Sequence, residues 1–246
     1  MHPILFEIGP LTIHTYGAVV ALAFLTGFLL LSAEARRKNF YPDKILDIEL
    51  VILVFGMIGA RILHVLVNFD FYARNPLDIL MIWRGGVAFY GGLIMAIAAS
   101  WIFILKNRMP FLKTADFIIP YIALGHAIGR IGCFLNGCCF GKPAAAMWPG
   151  VVFPNDGVFR HPTQIYASCA LLFIFVILKI AGEKPHADGS VFVLYLVLFG
   201  VQRFLIDFLR GDNPTYALGF TVSQFISIGL FVTAGVLFCF VRCKKT

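Results

Sequence analysis

Seven stretches of this chain are each long and apolar enough to cross a lipid bilayer: about 12–33, 46–68, 86–105, 115–136, 163–181, 189–209 and 219–241. A spanning helix needs about 20 apolar residues. In hydrocarbon, every backbone amide and carbonyl must find its partner inside the protein. Seven such runs in 246 residues leave little chain for anything else. The predicted fold is all-α: a polytopic membrane protein, residues 1–246 forming a single integral-membrane domain. Composition agrees, with 60% of residues hydrophobic and 13% charged, against roughly 25% charged in soluble domains. Two weaker runs read as interfacial or re-entrant pieces: 3–12, with Pro3 and Pro10, and 76–83, with Trp83.

Basic side chains orient the spans. Arg36, Arg37, Lys38 and Lys44 follow the first, Lys106, Arg108 and Lys113 the third, and Lys179 and Lys184 the fifth; Arg242, Lys244 and Lys245 lie at the end of the sequence. The positive-inside rule assigns all of these to the cytoplasmic side. The N-terminus is then outside and the C-terminus inside. The net charge of +7 is therefore a topology signal, and no nucleic-acid partner is expected. The opening MHPILFEIGPLTIH has neither a basic n-region nor a small-residue cleavage site, so it does not read as a cleaved signal peptide. The long outer connection, about 137–162, holds Gly141, Pro143, Pro149, Gly150, Pro154 and Gly157. It predicts turns rather than helix.

On the outer side or within the spans lie Arg61, Arg74, Arg84, Arg130, Lys142, Arg160, Arg203 and Arg210, and several of these are embedded in apolar sequence and not explained by topology. An arginine at the bilayer centre costs at least about 3 kcal/mol, so it is kept where protein or water solvates it and where function needs it. Arg130 lies in GHAIGRIGCFLNGCCFG, residues 125–141. Gly125-x-x-x-Gly129 is a small-residue contact face. Asn136-Gly137 and Gly141 predict a sharp turn at the helix end, whose free amides add to an anion site. Arg203, Asp207 and Arg210 are spaced i, i+4, i+7, one face of a helix. An internal Arg203–Asp207 ion pair accounts for part of this, but two arginines against one acid leave positive charge for a phosphate.

Further candidates are less specific. Tyr16 in HTYG suits a membrane-interface belt or a headgroup contact. Tyr90 lies between the glycine pairs Gly85-Gly86 and Gly91-Gly92, which serve either close helix contact or the approach of a ligand. His161 and Gln164, in HPTQIY, offer an imidazole and an amide at the start of the fifth span. Cys133, Cys138 and Cys139 form a C-x4-C-C cluster, open to three readings: a disulfide, reactive thiols or part of a metal site. The spacing matches no zinc pattern, and only His126 or His161 is at hand to complete one. Neither a cofactor nor a metal is expected.

Taken together, HTYG at 14–17, GARI at 59–62, W-x-GG…F-x-GGLI at 83–94, GRIG-x-F-x-NG…G at 129–141, HPTQ-x-Y at 161–166 and RF-x-x-D-F-x-R at 203–210 resemble the bacterial prolipoprotein diacylglyceryl transferase family, in the family's order and over nearly the whole chain. The resemblance implies a seven-span enzyme of the bacterial cytoplasmic (inner) membrane with its active site toward the outer face. It implies transfer of the diacylglyceryl group of phosphatidylglycerol to the lipobox cysteine of a prolipoprotein signal peptide, forming a thioether and releasing glycerol phosphate. It implies that Arg130 and Arg203 hold the phosphate, that Tyr16 bonds the headgroup, and that Asn136 and Gly141 order the signature loop. Asp207 stands where the family has Glu and is expected to orient Arg203 or assist proton transfer.

The departures cluster on thiol activation. Tyr90 stands for the family's His, Cys133 for an Asn, Cys138 for a Glu, Ala167 for a Glu and Phe199 for a Tyr. A histidine accepts a thiol proton at neutral pH, whereas a phenol is a poor base and a fair donor. The phosphate-binding half is retained and the thiol-activating half rewritten. Two alternatives therefore stand beside the main reading. One is the same fold acting on a different thiol or small acceptor, with Cys133, Cys138 or Cys139 involved. The other is a non-catalytic phospholipid-binding or transport protein.

Overall fold

The computed structural model describes residues 4–8, 11–81, 85–145, 149–153, 157–211, 216 and 219–243. Pro3, Pro10, Trp83, Arg84, Pro154, Lys244 and Lys245 lie outside the described residues. Among the described residues, seven helices are long and apolar enough to cross a membrane: α1 (Thr15–Arg37), α2 (Pro42–Val67), α4 (Phe89–Lys106), α5 (Phe111–Leu135), α6 (Thr163–Glu183), α7 (Ser190–Leu209) and α8 (Val222–Cys243). A short helix, α3 (Phe69–Arg74), and a 3-10 turn (Pro76–Leu80) follow α2. Large apolar side chains stand exposed along the spans, such as Leu22, Leu25 and Leu29 on α1 and Phe173, Val176 and Ile180 on α6. Patches of that extent call for lipid as the surrounding solvent. The protein is a multi-pass membrane protein.

The first span starts later than its hydropathy suggests. Leu11–His14 is strand β2, antiparallel to β1 (Ile4–Ile8), so α1 begins at Thr15. Among the described residues of the long connection there is no helix. Its β3 (Val151–Val152) and β4 (Phe159–Arg160) pair antiparallel.

The chain forms two compact units, residues 1–30 with 112–246, and residues 31–111. The core of the first is Ile119 and Ala123 of α5, Ile174 and Leu178 of α6, Val191, Val193, Tyr195 and Leu196 of α7, and Ala234 of α8. Asp116 of α5 caps α7 from outside that helix. Its carboxylate accepts from the amides of Gly189 (2.6 Å) and Phe192 (2.7 Å), satisfying donors that the helix start leaves open.

In the second unit α2 lies directly on α4. A Cβ at Gly92 would sit 2.9 Å from the Gly56 carbonyl, and one at Gly59 would overlap the Gly91 carbonyl and Met95. The second glycine pair of the GG…GG motif is therefore spent on backbone approach. The first pair has another use. Gly85 and Gly86 adopt positive φ, 85° and 78°, and turn their carbonyls to Arg61 Nη1 at 2.7 and 2.8 Å. Arg61 also donates to Ile79 O (2.9 Å) and Asp78 O (2.5 Å). Its guanidinium lies 5.2 Å from the Tyr72 ring centroid. Buried in a membrane helix, Arg61 is solvated by backbone carbonyls and holds the segment after α3 in place.

Candidate active site

The last turn of α5 sets the site. Gly137 N–H donates to Phe134 O and Cys138 N–H to Cys133 O, both at 3.1 Å, with Gly137 at φ 72°. This is a Schellman cap, a helix ending that brings the residue two past the cap against the one three before it. Here those residues are Cys138 and Cys133. Cys139 also takes a left-handed backbone, φ 63°. The result is three free thiols whose sulfurs all lie within 4.8 Å of one another. Cys138 Sγ donates to Cys133 O at 3.6 Å. Hydrogen bonds from Cys133 first, then Cys139, hold the Cys138 thiol well below the usual thiol range.

The chain beyond this cap is stitched to two other elements. Gly141 N–H donates to His161 O (2.9 Å), His161 N–H to Lys142 O (3.2 Å), and Lys142 N–H to Leu209 O (2.7 Å). Gln164 Nε2 holds Cys138 O (2.6 Å), and Thr163 Oγ1 holds Cys139 O (2.9 Å). A Cβ on Gly141 would lie 2.8 Å from both His161 Cβ and Leu209 O, so only glycine fits. The Gly141 amide, predicted free for an anion, is spent on His161. Phe153, fully buried, closes the loop from within against Phe140, centroids 5.1 Å apart.

Three arginines converge beside this turn. Arg130, Arg203 and Arg210 line one cleft with Cys139, Thr163, Gln164, Ala167 and Ile206. Arg130 Nε and Gln164 Oε1 are buried with no hydrogen-bond partner. Arg203 Nη2 donates to Ser223 Oγ (2.5 Å) and lies 3.5 Å from Asp207 Oδ1. The Asp207 side chain has no exposure and accepts a hydrogen bond from Thr221 Oγ1. Thr221 in turn forms a capping box at the start of α8. Its amide donates to Gln224 Oε1 (2.9 Å), and Gln224 N–H donates to Thr221 Oγ1 (3.3 Å). Asp207 is thus a fixed brace on Arg203, facing Thr221 and not the cleft.

Several predicted site residues take other places. Arg210 is not on the helical face expected for it. α7 ends at Leu209 and Arg210 is extended, φ −75°, ψ 141°, because residue 210 bridges to Gly141. It still reaches the cleft. His161 contributes its backbone to the loop, and its ring lies 3.5 Å from Tyr166 Oη. Tyr16 sits in the first turn of α1, beside Gly132, where a Cβ would lie 3.4 Å from its ring. It is in electrostatic range of Arg130 and the three cysteines. Close helix contact on this face runs through Gly132, whose Cβ would meet Val19 at 3.2 Å; Gly129 meets nothing within 4 Å. Tyr90 belongs to the second unit, exposed in the first turn of α4. Ser223 and Thr221 were missed from sequence. The signal was the T-x-x-Q pattern of a capping box at 221–224.

Fold and site define a multi-pass membrane protein with a cationic cleft walled by α5, α6 and α7. Its sequence matches the family model for prolipoprotein diacylglyceryl transferase over residues 3–240. It is 37% identical over 252 residues to the phosphatidylglycerol–prolipoprotein diacylglyceryl transferase of Bordetella parapertussis, covering 97% of this chain and 94% of that protein. Its identity to the protein of the same name from Clostridium tetani is 34% over 241 residues, covering 94% and 96%. For that of Staphylococcus haemolyticus it is 33% over 252 residues, covering 98% and 89%. The chain belongs to the prolipoprotein diacylglyceryl transferase family.

Proposed function

We propose that this chain is a transferase that moves the diacylglyceryl group of phosphatidylglycerol to the lipobox cysteine thiol of prolipoproteins. The observation that carries the reading is the cleft in which Arg130, Arg203 and Arg210 meet, with Arg130 Nε buried and unpartnered. Concentrated positive charge with an unspent buried donor is suited to a phosphate, and arginine grips one through parallel hydrogen bonds. The acceptor thiolate attacks the glycerol carbon that bears the phosphate. The C–O bond breaks and its electron pair leaves on glycerol phosphate. Arg130 and Arg203 stabilise that charge as it develops, the effect by which fixed donors lower a barrier most. Asp207 and Ser223 keep Arg203 aimed, and Gln164 and Gly141 keep the loop shut on the cleft. Tyr16 contacts the headgroup. The distribution of lysine and arginine supports an N-terminus outside, a C-terminus inside and a site open to the outer face, and membership of a bacterial family supports residence in the inner membrane.

The test is complementation. The chain is expressed in a bacterium depleted of its own diacylglyceryl transferase, and the mass of a reporter lipoprotein is read. A diacylglyceryl increment on the lipobox cysteine is expected. Its absence, with the protein inserted and folded, would overturn the assignment and favour the same fold acting on another acceptor.

A further inference from the structure

Three cysteines fall together in space. Cys133 and Cys138 are brought together by the Schellman cap, and the left-handed turn at Cys139 adds a third sulfur. The C-x4-C-C spacing matches no zinc signature when read as a string. Wrapped around a helix end it is a three-ligand spacing. Tetrahedral Zn–S bonds of about 2.3 Å put sulfurs roughly 3.8 Å apart. Sulfurs already within 4.8 Å need to close by no more than about 1 Å. Three thiolates select a soft, thiophilic cation. Cys139 also lines the arginine cleft, so a metal held here borders the space assigned to the phosphate. Three thiolates around a divalent ion leave a net negative charge, which Arg130 offsets from the preceding turn of α5.

We propose that Cys133, Cys138 and Cys139 bind a divalent zinc-type cation as a three-thiolate site, and that its fourth position takes the acceptor thiol. The role of the fourth position rests on the transfer reading above. A catalytic zinc site has three protein ligands and one open position, and a coordinated thiol is deprotonated outright. The incoming R–SH displaces water from the metal, and its proton leaves with that water to the solvent. The bound sulfur forms the S–C bond to the glycerol carbon, while the C–O bond breaks with its electron pair going to the departing glycerol phosphate. Nothing is oxidised or reduced. The product thioether is a weak ligand, so water replaces it. The site thereby supplies the thiol activation that the transfer reading requires.

The experiment uses the full chain in detergent, kept reduced, with Cys169, Cys239 and Cys243 changed to Ser so that other thiols do not contribute. Cobalt(II) is titrated in. Stoichiometric binding with a thiolate-to-cobalt charge-transfer band and tetrahedral d–d bands is expected. Loss of these in Cys138→Ser and Cys139→Ser is also expected. A wild-type cluster that gives no such band, or variants that keep it, would overturn the site, and neither outcome depends on lipid chemistry. A lipobox peptide is then added. A shift of the d–d bands with the Cys peptide and none with its Ser counterpart supports the open position; equal spectra refute it. Finally, zinc is stripped by a chelator and restored. Transfer lost and regained supports the role, and transfer that survives stripping overturns it. If the cobalt bands shift with thiol while zinc-loaded protein gives no lipid product, the metal site stands and the phosphatidylglycerol reading fails.

Discussion

Arg61 and Arg130 look alike in sequence: each is a lone cation in an apolar, glycine-flanked run. Their surroundings differ. Arg61 is enclosed by the carbonyls of Asp78, Ile79, Gly85 and Gly86, with the Tyr72 ring beside it. Its donors are used up by the fold. Arg130 lines a cleft with two other arginines and keeps a buried Nε unpartnered. A buried polar group without a partner costs about 1–3 kcal/mol, and such a cost persists where a ligand recovers it. Burial of charge therefore does not separate structure from function here; the fate of the donors does.

The comparison breaks first on Arg61. Arg61→Ala strands at least four carbonyls, each worth about 1–3 kcal/mol when unsatisfied. A stability loss of about 3–5 kcal/mol is expected, read as lower yield and an earlier thermal transition in detergent. Arg61→Lys should recover little, because an ammonium lacks the planar fork of donors. If Arg61→Ala were as stable as the parent and merely inactive, Arg61 would belong to the site. Arg130→Ala and Arg203→Ala should behave oppositely. Loss of one donor to a developing oxyanion costs roughly 100- to 1,000-fold in rate, about 2.7–4 kcal/mol. Transfer should fall by at least that factor, with membrane insertion and thermal stability kept. Near-normal lipidation by Arg203→Ala would sink the assignment of the cleft.

Gly141→Ala comes next and sharpens the comparison, because it touches no charge. Its Cβ meets backbone on one side and His161 on the other. Overpacking of this kind typically costs about 1–3 kcal/mol. A fall in transfer is expected with a modest drop in thermal stability, since Arg210 is bridged to Gly141. Unchanged activity would mean that the loop does not set the cleft.

The seven spans were legible because hydropathy alone decides them, and Arg130 and Arg203 because charge in hydrocarbon is conspicuous. What failed was geometry set by distant residues. The sequence could not separate Arg61 from Arg130, since the carbonyls that satisfy Arg61 come from 17 to 25 positions further on. Arg210 followed helical spacing on paper, but the bridge to Gly141 ended α7 first. The amide of Gly141 read as free because its acceptor, His161, lies twenty residues away. Cys133, Cys138 and Cys139 were visible as a spacing, yet only the Schellman cap turns that spacing into three converging sulfurs.

The smallest effect concerns Thr221, which ties Arg203's brace to the start of α8. Its hydroxyl donates to Asp207 and accepts from Gln224 N–H. Thr221→Ala removes a capping side chain, worth about 1 kcal/mol, and leaves Asp207 short of a donor. A small fall in the thermal transition is expected, with a several-fold rise in KM for phosphatidylglycerol as Arg203 loses its fixed aim. Thr221→Ser keeps the hydroxyl and should restore both. A variant that loses stability while KM stays put would assign the aiming of Arg203 to Ser223 alone and reduce Asp207 to a partner of the helix cap.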